Sequence, residues 1–286
     1  MSKAFRRAGA ESRAALIAYL MAGDPDLRMT ESLAAACEAG GADVLELGIP
    51  FSDPIADGPE IQEAGQRALR AGTRPRDVVE LAARIRQKTE IPLVLMTYMN
   101  PVLAMGLPTF AERSASAGVD GVIVPDLSLE GSSEIRDALE SLGVDMIQLV
   151  APSTPPARSA AIADASRGFL YVVARYGTTG VRSNLPEDLR DRIIALHRVS
   201  SIPLGVGFGV TTGAHVRAVA AAGADGVVIG SSIVRRAAER RDAEDVRKFV
   251  AELTGGLAVE RTTSPVLRDN SGDFDPLEVR RTKIEF

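Results

Sequence analysis

A chain of 286 residues, 45% of them hydrophobic and with a net charge of −5, is long enough for one large α/β domain. The single cysteine excludes an intrachain disulfide and a cysteine-based metal cluster. Scattered basic residues argue against a nucleic-acid partner, and no run of about 18 apolar residues suggests a membrane span, so we expect a soluble cytoplasmic protein.

Eight short apolar segments predict strands that are buried on both faces, as in a parallel sheet covered by helices. Segments of helical periodicity, such as 75–88, separate them. Gly at predicted helix ends and Pro at predicted strand starts recur at intervals of roughly thirty residues, the size of a βα unit. The predicted strands are 15–22, 43–49, 92–98, 121–126, 145–151, 169–175, 203–210 and 226–232.

Eight βα units predict an α/β fold in the form of a single (β/α)₈ TIM barrel. An open, doubly wound sheet is the alternative, but its Gly-rich fingerprint is missing after the first strand. The longest connections follow the second and sixth strands, which places both long loops at the C-terminal face, where barrel active sites lie. We expect the barrel to span 1–254 and a polar, partly ordered or disordered tail to span 255–286.

One carboxylate interrupts the second strand. Alternation places Val44, Glu46 and Gly48 on one face and the neighbouring Leu and Ile residues on the helix-facing side, so Glu46 points into the barrel. Burial raises the pKa of a carboxyl group towards neutrality, which suits general acid–base catalysis. The alternative is a structural ion pair with a basic residue of a neighbouring strand.

Two more carboxylates, Asp53 and Asp57, follow directly in a loop rich in Pro and Gly. Either residue alone is explained by turn formation, since Asp accepts backbone N–H groups and Pro and Gly fix the bend. Because the loop leaves the strand that carries Glu46, we expect one of the two to reach the same pocket.

Three Gly-containing loops, 177–180, 207–209 and 230–232, follow the last three strands. Glycine lets backbone N–H groups approach an anion, and a helix that opens at 231 adds the positive end of its dipole. This pattern predicts a phosphate-bearing ligand; close packing of Gly at the barrel rim is the alternative. No spacing suits a metal, and we expect His197 and His215 on the surface.

The sequence resembles the tryptophan synthase α subunit family. The resemblance runs from about Ala15 to Glu252, and its most specific part is "LELGIPFSDPIADGP". Supporting motifs follow the other predicted strands in order: "MAGDPD", "MTYMNPV", "GVDGVIVPDL", "QLVAPSTP", "GFLYVVARYGTTG", "GVGFGV" and "DGVVIGSSIV".

The resemblance implies retro-aldol cleavage of indole-3-glycerol phosphate to indole and glyceraldehyde 3-phosphate. It implies that Glu46 takes the proton from the glycerol hydroxyl and assists protonation of indole C3, while Asp57 accepts the indole N–H. Thr179 would hydrogen-bond Asp57 when the long loops close. The residues implied to hold the phosphate are Gly180, Gly209, Gly230 and Ser231, and those implied to enclose the indole and its linker are Tyr19, Met96, Ile123, Leu149, Tyr171, Phe208 and Val228.

The family also implies a partner, the tryptophan synthase β subunit, in an α₂β₂ heterotetramer. The loops 52–62 and 98–106, with Asp53 on the outer side of the first, are the implied contacts. Pyridoxal phosphate would belong to the partner, and no cofactor or metal is assigned to this chain. Two departures from the family pattern, Tyr176 and Thr178 beside the second long loop, bear on loop closure and on coupling to the partner.

Three other functions are compatible with parts of the pattern. A stand-alone indole-releasing lyase would carry the same site, and a non-catalytic barrel that activates a β subunit would have no use for a buried carboxylate. A different phosphate-binding barrel enzyme, such as an isomerase or a Schiff-base aldolase, is the third. The aldolase would need an inward-facing strand lysine, and none of the eight predicted strands has one.

Overall fold

The computed structural model describes residues 1–174, 186–207 and 209–257. Within these ranges nine strands occupy the predicted positions, and all paired strands are parallel. The strands are β1 (Ala15–Met21), β2 (Val44–Gly48), β3 (Leu93–Met96), β4 (Gly121–Ile123), β5 (Asp145–Ile147), β6 (Leu149–Val150), β7 (Leu170–Val173), β8 (Leu204–Gly207) and β9 (Gly226–Ile229).

The predicted (β/α)₈ barrel is confirmed. The strand order is β5-β4-β3-β2-β1-β9-β8-β7-β6, and the two ends of this sheet are joined by a single residue, Gln148, so the ring closes. The predicted fifth strand is therefore divided. Its break has a local cause, because the Gln148 N–H donates to the Ser166 side chain (3.0 Å) instead of to a neighbouring strand.

Twelve α-helices and one 3₁₀ turn, Glu130–Ser132, lie in the described ranges. Most of them connect successive strands around the outside of the ring. The helices are α1 (Ser2–Ala10), α2 (Leu27–Ala39), α3 (Pro59–Arg70), α4 (Pro75–Arg86), α5 (Met99–Met105), α6 (Leu107–Ser116), α7 (Ser133–Glu140), α8 (Pro156–Ala165), α9 (Leu189–His197), α10 (Gly213–Ala221), α11 (Ser231–Arg240) and α12 (Ala243–Gly255).

Two apolar layers hold the barrel together, as the alternation along β2 predicts. Leu45 and Leu47 belong to the layer between strands and helices, whereas Val44 belongs to the layer inside the ring. Helix α1, which the sequence analysis missed, adds Phe5 to the inner layer, where its ring lies 5.6 Å from that of Phe169. The barrel interior is therefore packed at its lower end, which leaves the C-terminal end as the place for a ligand.

The segment that follows β2 is tied to the loop after β1. Arg67 on α3 donates two hydrogen bonds of 2.8 Å to the carboxylate of Asp24, which is 6% exposed. This ion pair ties α3, the helix that follows the loop containing Asp57, to the loop after β1.

No helix of the described residues is long and apolar enough to cross a membrane. The division into a barrel, 1–254, and a tail, 255–286, stays a prediction, because the residues from 258 onwards lie outside the described ranges.

Candidate active site

Glu46 points into the barrel from the middle of β2. Its side chain is 1% exposed, and within the described part of the chain neither carboxylate oxygen has a hydrogen-bond partner. No described cation pairs with it, so the structural ion pair considered above is not observed in these ranges. Burial, reinforced by the nearby negative charge of Asp57, raises the pKa of Glu46 to about 8.

Asp57 lies in the loop between β2 and α3 and is turned inwards, with 7% of the residue exposed. Burial raises the pKa of Asp57 to about 6, and a hydrogen-bonding interaction with Tyr98 opposes this rise. Asp53, in the same loop, is exposed and accepts a hydrogen bond from Ser52. Of the two loop carboxylates only Asp57 is buried, as expected for a residue that reaches the pocket of Glu46.

Tyr98 is a site residue that the sequence analysis did not single out. It is 3% exposed, its hydroxyl accepts the Ala56 N–H at 3.0 Å, and its ring centroid lies 5.3 Å from that of Phe51. The sequence does indicate its orientation. Side chains alternate along a strand, and Val94 and Met96 face the barrel interior, so Tyr98, two residues further on, is expected to face the interior as well.

The fold gathers the described members of the predicted indole pocket on the inner face of the ring. Two tyrosines shape it, each lying over a glycine of the adjacent strand: a Cβ at Gly48 would overlap the Tyr19 hydroxyl, and one at Gly207 would overlap the Tyr171 hydroxyl. The inner apolar layer contains Tyr19, Met96, Ile123, Tyr171 and Val228, with Leu149 packed against it.

The predicted phosphate end lies at β9. Gly230 immediately precedes α11, so the first N–H groups of that helix, including that of Ser231, are free of intrahelical partners. A Cβ at Gly230 would lie 3.1 Å from the Tyr19 ring, so a side chain there would have to displace that ring slightly. Gly209 has φ +89°, a conformation that favours glycine.

Tyr19 connects the two ends of this site. It pairs in register with Glu46 on one side, while its ring contacts Gly230 on the other. Two inter-strand spacings, about 10 Å, thus separate the buried carboxyl group from the helix N-terminus. A ligand with a phosphate at one end and a reacting carbon a few bonds away matches this span.

Three predicted site residues, Thr179, Gly180 and Phe208, lie outside the described residues, as do Tyr176 and Thr178. The second long loop, 174–188, is described only at its ends.

The prediction that both histidines lie on the surface is wrong. His215 is 6% exposed, and its Nδ1 accepts the N–H of Thr211, which directly precedes the N-cap of α10, at 3.3 Å. The His197 side chain is 9% exposed and its Nε2 lies 2.9 Å from the Gly223 carbonyl oxygen. Both therefore make local structural contacts. Among the described residues no group of three or more His, Cys, Asp or Glu side chains could hold a metal ion.

The arrangement defines a class of protein: a β/α barrel with two buried carboxyl groups beside an apolar pocket at the C-terminal end of the ring, which is where enzymes of this fold carry out their chemistry. A sequence model of the tryptophan synthase alpha chain matches residues 5–260. The chain therefore belongs to the tryptophan synthase alpha chain family. Members of this family are lyases of tryptophan biosynthesis, and the chain is an enzyme of that kind.

Individual relatives agree with this assignment. The tryptophan synthase alpha chain of Synechococcus sp. (strain CC9902) is 45% identical over 234 residues, 82% of this chain and 87% of that protein. Tryptophan synthase from Mycobacterium tuberculosis has a similar structure, with a TM-score of 0.83 and 38% identity over 90% of this chain and 97% of that one. A tryptophan synthase complex from Pyrococcus furiosus gives a TM-score of 0.79 at 37% identity, over 85% of this chain and 99% of that one.

Proposed function

We propose that the chain cleaves indole-3-glycerol phosphate to indole and glyceraldehyde 3-phosphate, with Glu46 as the proton-transfer group and Asp57 as the residue that stabilises charge on the indole. The observation that carries this proposal is Glu46 itself, a buried carboxyl group without a hydrogen-bond partner among the described residues, pointing into the barrel. A buried polar group left unpaired is costly, and a proton-transfer role accounts for it.

The two pKa values support an order of proton transfers. At neutral pH Glu46, with a pKa of about 8, is protonated in the free protein, whereas Asp57, with a pKa of about 6, is mostly ionised. Glu46 gives its proton to indole C3, and the Asp57 carboxylate accepts a hydrogen bond from the indole N–H and stabilises the positive charge that develops on the ring.

The second half of the reaction returns the proton. The carboxylate of Glu46 takes the proton of the glycerol C1 hydroxyl, whose oxygen becomes the aldehyde oxygen of glyceraldehyde 3-phosphate. The bond between that carbon and indole C3 breaks at the same time, and its electron pair neutralises the charge on the ring. Glu46 ends protonated, as it began, so one residue serves as acid and then as base.

The remaining predicted residues bind the substrate in this scheme. The N-terminus of α11, with Gly230 and Ser231, and the loops containing Gly180 and Gly209 hold the phosphate dianion. Tyr19, Met96, Ile123, Leu149, Tyr171, Phe208 and Val228 enclose the indole and its linker, and Thr179 binds Asp57 on closure.

The chain acts together with a tryptophan synthase β subunit in an α₂β₂ complex, and indole passes to a pyridoxal phosphate site on that partner. The family is not known to need a cofactor of its own. The exposed apolar side chains of Ile55 (77%), on the loop after β2, and Leu103 (58%), on α5 after β3, support docking at the C-terminal face. A biosynthetic enzyme of this kind works in the cytoplasm.

The test of the proposed reaction is Glu46→Gln, which keeps the shape of the side chain and removes its acidity. Turnover of indole-3-glycerol phosphate, followed as glyceraldehyde 3-phosphate release, should fall by at least about 10²–10⁴-fold, because the group acts twice. The matched control is Glu112→Gln, the same change on an exposed residue of α6, which should leave turnover unchanged. Near-normal activity of the Glu46 variant would exclude the mechanism.

The partner proposal has its own test. Indole release should rise strongly when a tryptophan synthase β subunit is added, and Ile55→Asp should weaken this stimulation without changing the basal rate. A basal rate that the β subunit leaves unchanged would favour a stand-alone lyase.

A further inference from the structure

Tyr98 joins two loops that carry different parts of the site. It occupies the position before the first residue of α5, at the end of β3, while its side chain reaches the loop after β2. There its hydroxyl accepts the Ala56 N–H at 3.0 Å and its ring packs on Phe51 with an interplanar angle of 33°. The next residue along that loop is Asp57.

The backbone around Tyr98 is held independently of this loop. The Met99 N–H donates to the Asp126 carboxylate (3.0 Å), the Thr97 N–H donates to the Ile123 carbonyl (3.0 Å), and the Thr97 hydroxyl donates to the Tyr98 carbonyl (3.2 Å). These contacts all come from β4 and its following loop or from Tyr98's own neighbours. The position of the Tyr98 ring is therefore set by β4 and the loop after it, and the loop after β2 packs against this ring.

We propose that Tyr98 is a positioning residue for the cleavage reaction: its hydroxyl holds the loop after β2 so that the Asp57 carboxylate faces the barrel interior before substrate binds. The proposal rests on the proposed function of Asp57. Tyr98 acts on the reaction through that residue.

Two physical effects follow from the hydroxyl. It accepts a hydrogen bond from the part-buried Ala56 N–H. This bond limits the conformations of the loop, because breaking it would leave that N–H without its acceptor. It also interacts with the Asp57 carboxyl group and favours its ionised form, against the effect of burial. The hydroxyl keeps its proton for this purpose, because burial and Asp57 raise the pKa of Tyr98 above its ordinary value.

The surroundings of Asp57 set the size of this effect. The titratable groups that interact with it are Glu46 on β2, Tyr19 on β1, Tyr171 on β7 and Tyr98 itself; Asp126, from the loop after β4, faces Tyr98. The tyrosines are neutral at the pH of the assay, and Glu46 is protonated over the range in which Asp57 titrates. Tyr98 is thus the group of this set that lowers the pKa of Asp57.

Tyr98→Phe tests the proposal, because it keeps the ring on Phe51 and removes only the hydroxyl. We expect kcat for indole-3-glycerol phosphate to fall by roughly 10-fold, the effect of losing one hydrogen bond that orders the loop carrying Asp57, with KM little changed. The acidic limb of the pH profile of kcat/KM should move to higher pH, since the variant has lost the interaction that lowers the pKa of Asp57.

A double-mutant cycle separates this role from a general structural one. In an Asp57→Asn background the hydroxyl has no carboxylate to position, so adding Tyr98→Phe should change kcat by less than about 2-fold if the two residues act as a unit. Inhibition by glycerol 3-phosphate, which probes the phosphate end of the barrel, should be the same in Tyr98→Phe as in the unchanged protein. Loss of that inhibition, or an undiminished effect in the Asp57→Asn background, would overturn the proposal.

The outcomes also distinguish this inference from the proposed function. If the unchanged protein releases no glyceraldehyde 3-phosphate, alone or with a β subunit, the proposed function fails. If the unchanged protein is active and Tyr98→Phe has the same kcat and pH profile, only the role of Tyr98 fails.

Discussion

At the scale of single residues, two carboxyl groups in one pocket have pKa values on opposite sides of neutrality. Glu46 has no compensating hydrogen bond among the described residues, so burial raises its pKa to about 8. Asp57 is nearer the surface of the pocket and interacts with Tyr98, so its pKa rises only to about 6. Between these values one group is an acid and the other an anion, which is the pairing the proposed reaction needs.

This pairing predicts a bell-shaped pH profile of kcat/KM for cleavage of indole-3-glycerol phosphate, with a rising limb near pH 6 and a falling limb near pH 8. The rising limb reports ionisation of Asp57, and the falling limb reports loss of the proton from Glu46. Steady-state rates measured from pH 5 to 9.5, at constant ionic strength, would reveal both limbs. A rate that keeps increasing above pH 8 would mean that the reaction does not begin with protonated Glu46.

Much of this site is predictable from the sequence, and the reason is local. Glu46 is inward because strand alternation fixes it, and Gly48 and the flanking Leu residues agree with the same register. Tyr98 obeys the same alternation, but its partner Ala56 is 42 residues away, and its importance depends on a contact between loops that no local pattern encodes. The distinction between Asp53 and Asp57 has the same origin, since turn chemistry suits both.

At the scale of strands and helices, the pocket exists because glycines on one strand leave space for tyrosines of the next. The Tyr19 side chain leans from β1 over Gly48 of β2, so the shape of the pocket beside Glu46 depends on that glycine. Gly48→Ala should therefore displace the Tyr19 ring and destabilise the fold by about 1–3 kcal/mol, as overpacking of a core does. It should also raise KM for indole-3-glycerol phosphate, since the ring forms one wall of the predicted indole pocket.

The matched control is Gly255→Ala on α12, where an added Cβ meets nothing within 4 Å. Alanine favours helix, so this variant should be as stable as the unchanged protein or slightly more so. Thermal unfolding and steady-state kinetics on both variants make the comparison. If Gly48→Ala matched its control in Tm and KM, the Tyr19 ring would not be confined as described.

The elements that the sequence predicts less well depend on side-chain contacts between segments. A continuous apolar run predicts one fifth strand, yet the Ser166 hydroxyl takes the Gln148 N–H and divides it. Neither histidine contact is visible in the sequence: the His215 ring accepts the Thr211 N–H of the segment before α10, and His197 meets the Gly223 carbonyl across a helix–strand connection. The apolar residues of α1 are few, and its place at the lower end of the ring follows from packing of Phe5 on Phe169.

At the scale of the whole molecule, closure of the ring buries Glu46, and this burial makes the free energy of unfolding depend on pH. In the unfolded chain a Glu ionises near pH 4.5, whereas in the folded protein Glu46 keeps its proton up to about pH 8. Between these values the folded state binds more protons than the unfolded state, so the free energy of unfolding decreases as pH rises. The contribution of Glu46 to the free energy of unfolding is fully present below about pH 4.5. It decreases progressively as pH rises, until pH exceeds the folded-state pKa. Asp57, whose pKa is also raised, adds to the loss at the acidic end of this window.

Glu46→Gln should remove most of this slope, because the amide has the size of the carboxyl group and does not ionise. We expect the variant to resemble the unchanged protein at pH 5 and to be more stable at pH 8.5, by a few kcal/mol at most, since a tenfold change in an acid dissociation constant corresponds to about 1.4 kcal/mol. Urea unfolding at a series of pH values measures the two curves, with Glu112→Gln as the control that should follow the unchanged protein. Because the same substitution should abolish cleavage, the variant would be more stable and inactive at high pH, the combination expected when a fold tolerates a costly group for its chemistry. Parallel pH curves for Glu46→Gln and the unchanged protein would show that Glu46 does not hold its proton in the folded barrel.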